Sequence, residues 1–234
     1  MQKIPFLLTR PVGSNADFFN QIPKKTVQFL QGVECPLIKI EPLSVEYDAP
    51  RDVNAVFTSS NGLRFGPPAD GRTAYCVGRQ TTQRATEAGW NAIFAGQTAV
   101  ELLGYFDENS TNEPLCHFSG VHVREDVVGE LSRLGLVAHR QIVYDQVLLP
   151  LAGSALSALS QHNQVIVPLF SPRAAAHFAA VCPQDCNAIV VALSATVAKT
   201  AGKNNKFEIV TAQFPTTTSL IACIETLVSA ISLG

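Results

Sequence analysis

Seven polar clusters close the strand-like segments of this chain: Thr9–Arg10, Thr58–Asn61, Gly78–Arg79, Ser119–Gly120, Ser171–Arg173, Ser194 and Gln213–Thr218. Each precedes or opens a helical segment. Such a turn offers backbone N–H groups without a helical partner and the positive end of the helix dipole. Taken singly, its Ser, Thr and Asn side chains are explained as helix caps. Taken together and aimed at one place, the turns make a site for a multiply anionic ligand. Tyr144 closes the strand-like Ile142–Tyr144. It reads either as an edge aromatic with its hydroxyl in water or as a weak proton donor to a departing hydroxyl.

Other chemistries lack their residues. No GxGxxG follows a strand-like segment and no GxxxxGK[ST] is present, which disfavours a nucleotide-dependent enzyme. Ser119 and Ser171 have no GxSxG elbow around them. The five histidines (His117, His122, His139, His162 and His177) show no metal-ligand spacing and read as ordinary surface or packed residues. Of the six cysteines, only Cys182 and Cys186 are close in sequence, and AYCVG and LIACIETLV place others in apolar runs. Buried thiols, not a zinc site or disulfides, are expected. The 17 basic and 19 acidic side chains give a net charge of −2, with no basic block of the kind that binds a phosphate backbone. Nucleic acid is therefore not the expected partner. With no signal-like start and no apolar run of spanning length, no membrane partner is expected and the chain reads as cytoplasmic.

The elements that must position the clusters alternate. Strands are expected at Ile4–Thr9, Asp52–Ser59, Ala74–Val77, Asn91–Ala95, Leu115–Ser119, Val165–Phe170, Ala188–Leu193 and Phe207–Ala212. Extended segments are expected at Pro36–Leu43 and Val137–Val143. Helices are expected at Asn15–Gln31, with Pro23 and Lys24–Lys25 as the place where it can break and a stop at Gly32, then at Thr81–Ala88, Thr98–Phe106, Asp126–Leu134, Ala174–Val181, Ala195–Ala201 and Ser219–Ile231. The third of these would bury Val100, Leu102, Leu103 and Phe106. GPPADG at Gly66–Gly71 leaves little room for a helix after Asn61. This alternation predicts an α/β fold of parallel sheets with helices on both faces.

The pattern also occurs twice. VFTSSNGLRF (Val56–Phe65) is echoed by LFSPRAAAHF (Leu169–Phe178) when Phe57 is set against Phe170. Ala74–Gly89 is echoed by Ile189–Gly202, and Leu7–Gly13 loosely by Cys116–Arg124. The stretch from Val165 has too few strands for a sheet of its own, and Ile4–Thr9 supplies one. The expected lobes are residues 1–39 plus 146–234, and residues 40–145. They are joined by two crossovers, with a cleft between them to which the loop tips point.

With these pieces in place the chain resembles the uroporphyrinogen-III synthase family. The resemblance rests on LLTRP (Leu7–Pro11), VFTSSNGLR (Val56–Arg64), YCVGRQTTQRATEAG (Tyr75–Gly89), Gly120 to Arg124, IVYDQ (Ile142–Gln146), PLFSPRAAAHF (Pro168–Phe178), ALSATVAKTAG (Ala192–Gly202) and PTTTSLIACI (Pro215–Ile224). It implies two flavodoxin-like lobes linked by a two-stranded connection, a monomer, and no cofactor or metal. It implies a linear tetrapyrrole substrate, hydroxymethylbilane, with eight carboxylates, closed to uroporphyrinogen III with loss of water and inversion of ring D. Carried over residue by residue, Tyr144 assists the leaving group. Ser59, Asn61, Ser119, Gly120, Ser171 and Ser194 contact the ligand, and Arg10, Arg64 and Arg124 pair with its carboxylates. Two departures stand out: the shortened Leu63–Gly71 segment, and HFSG, where many members carry a basic residue before the glycine. The rival readings are a non-catalytic bilobed protein for a small anionic ligand and an α/β hydrolase.

Overall fold

The computed structural model describes residues 3–44, 53–204 and 206–233. The chain runs β1 (Ile4–Leu8), α1 (Asn15–Phe19), α2 (Lys24–Val27), β2 (Leu30–Glu34), β3 (Ile38–Pro42), β4 (Asn54–Phe57), α3 (Ser60–Phe65), β5 (Thr73–Cys76), α4 (Arg79–Glu87), β6 (Asn91–Phe94) and α5 (Ala99–Glu108). It continues with β7 (Leu115–Gly120), α6 (Val127–Arg133), β8 (Ala138–Leu148), α7 (Gly153–Gln161), β9 (Val165–Leu169), α8 (Pro172–Val181), β10 (Ala188–Ala192), α9 (Ala195–Ala201), β11 (Glu208–Thr211) and α10 (Thr217–Leu233).

Two compact units result, Met1–Lys39 with Val147–Gly234 and Ile40–Gln146. The first holds a sheet ordered β11-β10-β9-β1-β2, all parallel. The second sheet is ordered β3-β8-β7-β4-β5-β6, parallel from β8 to β6. The strands that carry the chain between units, β3 and β8, are neighbours. Leu43 N–H donates to Val143 O and Leu149 N–H to Leu37 O, so this pair runs antiparallel.

Apart from β3, the sheets have one topology. β2-β1-β9-β10-β11 and β8-β7-β4-β5-β6 are both the doubly wound order, with the strands of the second entering in permuted sequence. The matching caps are Ser59, which accepts from Gly62 N–H before α3, and Ser171, which accepts from Ala174 N–H before α8. The halves therefore align Ser59 with Ser171, one residue away from the echo of Phe57 with Phe170.

Mostly apolar runs make the central strands, with Asn54 of β4 and His117 and Ser119 of β7 as buried polar residues among them. β1, β4, β7, β9 and β10 are buried at every residue, as strands covered on both faces must be. In the second sheet, Phe57, Cys116 and Phe118 pack on one face with Leu63 and Phe65 of α3 and Ala85 of α4. On the other face, Val56 and Leu115 pack with Leu102 and Phe106 of α5 and Val127 and Leu131 of α6. In the first sheet, Ile4, Phe6 and Leu8 pack with Phe18 of α1 and with Leu220, Ile224 and Val228 of α10.

Several expectations change. The Asn15–Gln31 helix is broken at Pro23, as its sequence allows: Pro23 is extended (φ −56°, ψ 139°) and separates α1 from α2, which ends at Val27 and not at Gln31. The next segment is β2, in which Gly32 is a mid-strand residue opposite Phe6 and not a helix stop. A short helix, α3, does follow Ser59. Val100 is 69 % exposed, because the buried stripe of α5 is Leu102 and Phe106. Helix α7 had no expectation. Asp52, the expected start of β4, lies outside the described residues. Among those described, no helix is long and apolar enough to cross a membrane.

The approach of α3 to β7 needs a residue without a side chain. A Cβ at Gly62 would lie 2.2 Å from the Phe118 carbonyl oxygen, whereas one at Gly104 in α5 meets nothing within 4 Å. Gly62→Ala is expected to destabilise the fold by about 2 kcal/mol through forced displacement of α3. Gly104→Ala should stabilise it by roughly 0.5–1 kcal/mol through helix propensity. Urea unfolding of the two variants checks both signs.

Candidate active site

The site grows out of strand order. β4 and β7 are adjacent and parallel, yet β4 leads into α3 on one face of the sheet and β7 into α6 on the other. Their carboxyl-end turns must diverge and leave a crevice, the place where open α/β sheets bind ligands. A cavity of about 420 Å³ occupies it. Thr58 and Ser59 follow β4; His117 and Ser119 lie on β7; His122, Val123, Arg124 and Glu125 come from the loop after it. Gln97 and Thr98 precede α5, and Tyr144 comes from β8.

Tyr144 is only 5 % exposed and lies inside β8, which continues to Leu148. It neither ends the strand nor holds its hydroxyl in bulk water. Its Oη is 3.2 Å from Ser59 Oγ, and its ring packs near Phe65. Ser59 Oγ accepts from Gly62 N–H at the cap of α3, so the serine joins a fixed backbone to the phenol. Gly120 is the seat of the ring: a Cβ there would lie 2.5 Å from Tyr144 Cε2 and 2.6 Å from Cζ.

The other face carries groups that sequence reading left aside. His117 is 2 % exposed and its Nε2 is 2.9 Å from Thr58 Oγ1. Arg140 donates from Nε to Ser119 Oγ at 2.9 Å, and from Nη2 to Gly120 O at 2.6 Å and Val121 O at 3.0 Å. Ser119 is thus buried and held by protein. His117 and Arg140 are opposite each other in the β7–β8 register. The only sequence signal for either was a polar residue at a strand position facing the sheet's interior or edge.

At the rim, Thr98 caps α5 by accepting from Glu101 N–H, while the Glu101 carboxylate accepts from Gln97 N–H, one residue before the cap. His122 Nε2 lies 3.7 Å from Asp145 Oδ1. Arg124 is exposed along the same wall.

Of the expected residues, Ser59, Ser119, Arg124 and Tyr144 line this cavity. Gly120 adjoins it through the Tyr144 ring. Asn61 and Arg64 lie on α3, where the Arg64 guanidinium sits 4.9 Å from the Phe65 ring centroid. The remaining three belong to the other unit, at its own β1–β9 junction and at the turn after β10. Thr9 donates its hydroxyl to Pro168 O. Arg10 sits 5.0 Å from the Phe170 ring centroid, its Nε buried without a hydrogen-bond partner among the described residues. Burial lowers its pKa, an effect that Asp17 opposes. Ser171 and Ser194 use their hydroxyls to cap α8 and α9.

Among the described residues, no group of three or more His, Cys, Asp or Glu side chains is placed to hold a metal ion. Cys76 and Cys116 are buried thiols, raised by desolvation to about 12 and about 11. Cys182 and Cys186 are buried with their sulfurs 2.9 Å apart, and burial again raises the Cys182 thiol.

His117 makes the site sensitive to acid. Burial first, and the Arg140 charge second, lower its pKa from 6.5 to about 4. Above pH 6.5 the ring is neutral both folded and unfolded, so it adds no pH dependence. As pH falls from 6.5 towards 4 the unfolded chain takes up a proton that the folded form refuses, and stability is lost. Between pH 7 and pH 5 this amounts to about 2 kcal/mol. His117→Gln, which keeps a partner for Thr58, should lose that much less over the same interval in denaturant titrations.

Comparison with known proteins agrees with this architecture. The family model of uroporphyrinogen-III synthase HemD matches residues 27–222. A search of curated proteins gives no match. Among solved structures, the uroporphyrinogen-III synthetase of Helicobacter pylori 26695 superposes with a TM-score of 0.67 at 17 % identity, covering 100 % of both chains. A mutant uroporphyrinogen III synthase from the extremely thermophilic bacterium Thermus thermophilus superposes with a TM-score of 0.53 at 12 % identity, covering 99 % of this chain and 100 % of that one. At such identities the superpositions bear on the fold, while the family match spans most of the sequence. The chain belongs to the uroporphyrinogen-III synthase family.

Proposed function

We propose that the protein cyclises hydroxymethylbilane, with loss of water and inversion of ring D, to uroporphyrinogen III. The observation that carries this reading is the buried Tyr144 hydroxyl, paired with Ser59 Oγ at 3.2 Å and lining the cavity at the β4–β7 crevice. A hydroxyl pair on a rigid strand and a capped turn suits a reaction that needs little acid strength and much orientation.

The chemistry is driven by the substrate. Electron donation from the terminal pyrrole breaks the bond to the hydroxymethyl oxygen, and the departing hydroxide takes a proton from Tyr144 and leaves as water. Ser59 holds the phenol during that transfer. The substituted α-carbon of ring D attacks the resulting azafulvene and gives a spiro intermediate. This fragments and recloses with ring D inverted, and the pyrrole proton finally lost restores Tyr144. One water leaves, and no oxidant or reductant is needed. Bilane also closes unaided without inversion, so the protein's task is to hold the chain in the geometry that inverts.

The cavity takes the reacting end of the bilane. Arg124 and Arg64 are assigned to its acetate and propionate groups, with Asn61, Ser119 and Gly120 as polar contacts. Arg10, Ser171 and Ser194, at strand ends of the discontinuous unit, are assigned to the remaining carboxylates. The protein acts as a monomer, without metal or cofactor.

Freshly prepared hydroxymethylbilane, incubated with the protein and oxidised for chromatography, should give the type III porphyrin above the spontaneous type I background. Type I alone at high protein concentration would refute the reading. Tyr144→Phe should lower kcat by roughly 10- to 100-fold, with product binding nearly unchanged by fluorescence titration. A rate equal to the parent's would remove the role assigned to the phenol.

A further inference from the structure

We propose that Arg140 is a positioning residue for Tyr144: its guanidinium fixes the strand irregularity that turns the phenol onto Ser59. The inference rests on the reading of Tyr144 given above.

The β7–β8 register is regular from Leu115 opposite Ala138 to Ser119 opposite Ile142. The next pair is Gly120 opposite Tyr144, so Val143 is an extra residue. Regular alternation would place Tyr144 on the face of Arg140 and Ile142. Arg140 meets Ser119, on the face of β7 away from Phe118. The bulge puts Tyr144 beside Val143 in the Phe57–Phe118 cluster instead, where its hydroxyl reaches Ser59. Bulges next to active sites commonly re-aim a side chain in this way.

A bulge breaks the ladder, and the backbone groups it releases need partners. Val121 N–H donates to Tyr144 O at 2.9 Å, closing one side. Arg140 closes the other through both carbonyls, Gly120 O and Val121 O, and adds Ser119 Oγ. These bonds fix the peptide whose Cα supports the Tyr144 ring, and a Cβ at Gly120 would overlap that ring. The tolerance is a fraction of an ångström, so loss of the clamp moves the phenol. Arg140 is absent from the cavity wall, and its planar fork is turned to protein carbonyls. A lysine, with a point charge and no fork, cannot hold both carbonyls in the same geometry.

The test uses Arg140→Gln, Arg140→Lys, Tyr144→Phe and the Gln–Phe double variant in the full chain. Both Arg140 substitutions should lower kcat by about tenfold, as misplacement of a reacting group does, with KM little changed. The double variant should be no slower than Tyr144→Phe alone. A raised KM with parental kcat would make Arg140 a substrate contact and overturn the proposal. So would independent, multiplicative losses in the double variant.

A second readout needs no turnover. The chain has four tyrosines, and in protein labelled at the tyrosine ring carbon Cζ the Tyr144 NMR signal is the one missing from Tyr144→Phe. It should shift in Arg140→Lys and Arg140→Gln while far-UV circular dichroism stays parental. If Arg140→Gln does not fold, Arg140→Lys, which keeps charge and stem, decides alone. An unmoved Tyr144 signal in a folded variant refutes the clamp. If the parent makes no type III product, the functional reading fails, and this signal still decides whether Arg140 positions the ring.

Discussion

Two parallel strands that lie side by side while their chains depart to opposite faces dictate where a ligand can enter and which side chains can meet it. At β4 and β7 the divergence is enforced by packing: Leu63 and Phe65 hold α3 to one side, and Val127 and Leu131 hold α6 to the other. The crevice at the strand ends cannot close without unpacking one of those helices. In the discontinuous unit β1 and β9 occupy the same topological position. There the junction is tied by the Thr9 hydroxyl on Pro168 O, beyond the ladder pair of Phe6 and Ile166. Proline offers no N–H at that point, and a side chain supplies the link.

Inside the crevice, the polar groups are placed by neighbours that leave little freedom. Tyr144 has Gly120 beneath it, Phe65 beside it and Ser59 at its hydroxyl. His117 has Thr58, and Ser119 has Arg140. A network of this kind, buried at His117, Ser119 and Tyr144 and open to solvent at Arg140, gains rigidity only when its buried members are paired. Its cost is the neutral histidine, kept from protonation by desolvation and by the Arg140 charge. The same cation therefore acts on His117 through space and on Gly120 and Val121 through hydrogen bonds.

What could be read in the amino-acid order was whatever local chemistry determines. Runs such as IPFLL, VIVPL and AIVVA are apolar throughout because both of their faces are covered, and they point to the parallel α/β class. The caps Ser59, Ser171 and Ser194 stood out because a helix start demands such residues. β2 did not, since only Leu30 of Leu30–Glu34 is buried and the strand has no apolar run. α7 (GSALSALSQ) has small residues in most of its buried stripe, Ala155, Ala158 and Leu159, and no charged residue to mark its outer face. Val100 misled because an apolar residue on a helix need not face the sheet. Within the site, the hydroxyls and Arg124 were visible as types at strand ends. The orientation of Tyr144 was not, because it depends on one extra residue in a register that only pairing defines. Arg140 and His117 were equally hidden, since their importance lies in partners far along the chain.

The insertion of the continuous unit between the two segments of the other bears on how the protein is made. β1, central in its sheet, emerges from the ribosome with β2 on one flank and nothing on the other, because β9 comes only after an entire intervening unit. The continuous unit can collapse on its own contacts while that edge waits. During translation the nascent chain thus carries an unpaired, apolar strand margin for the time needed to synthesise more than a hundred residues.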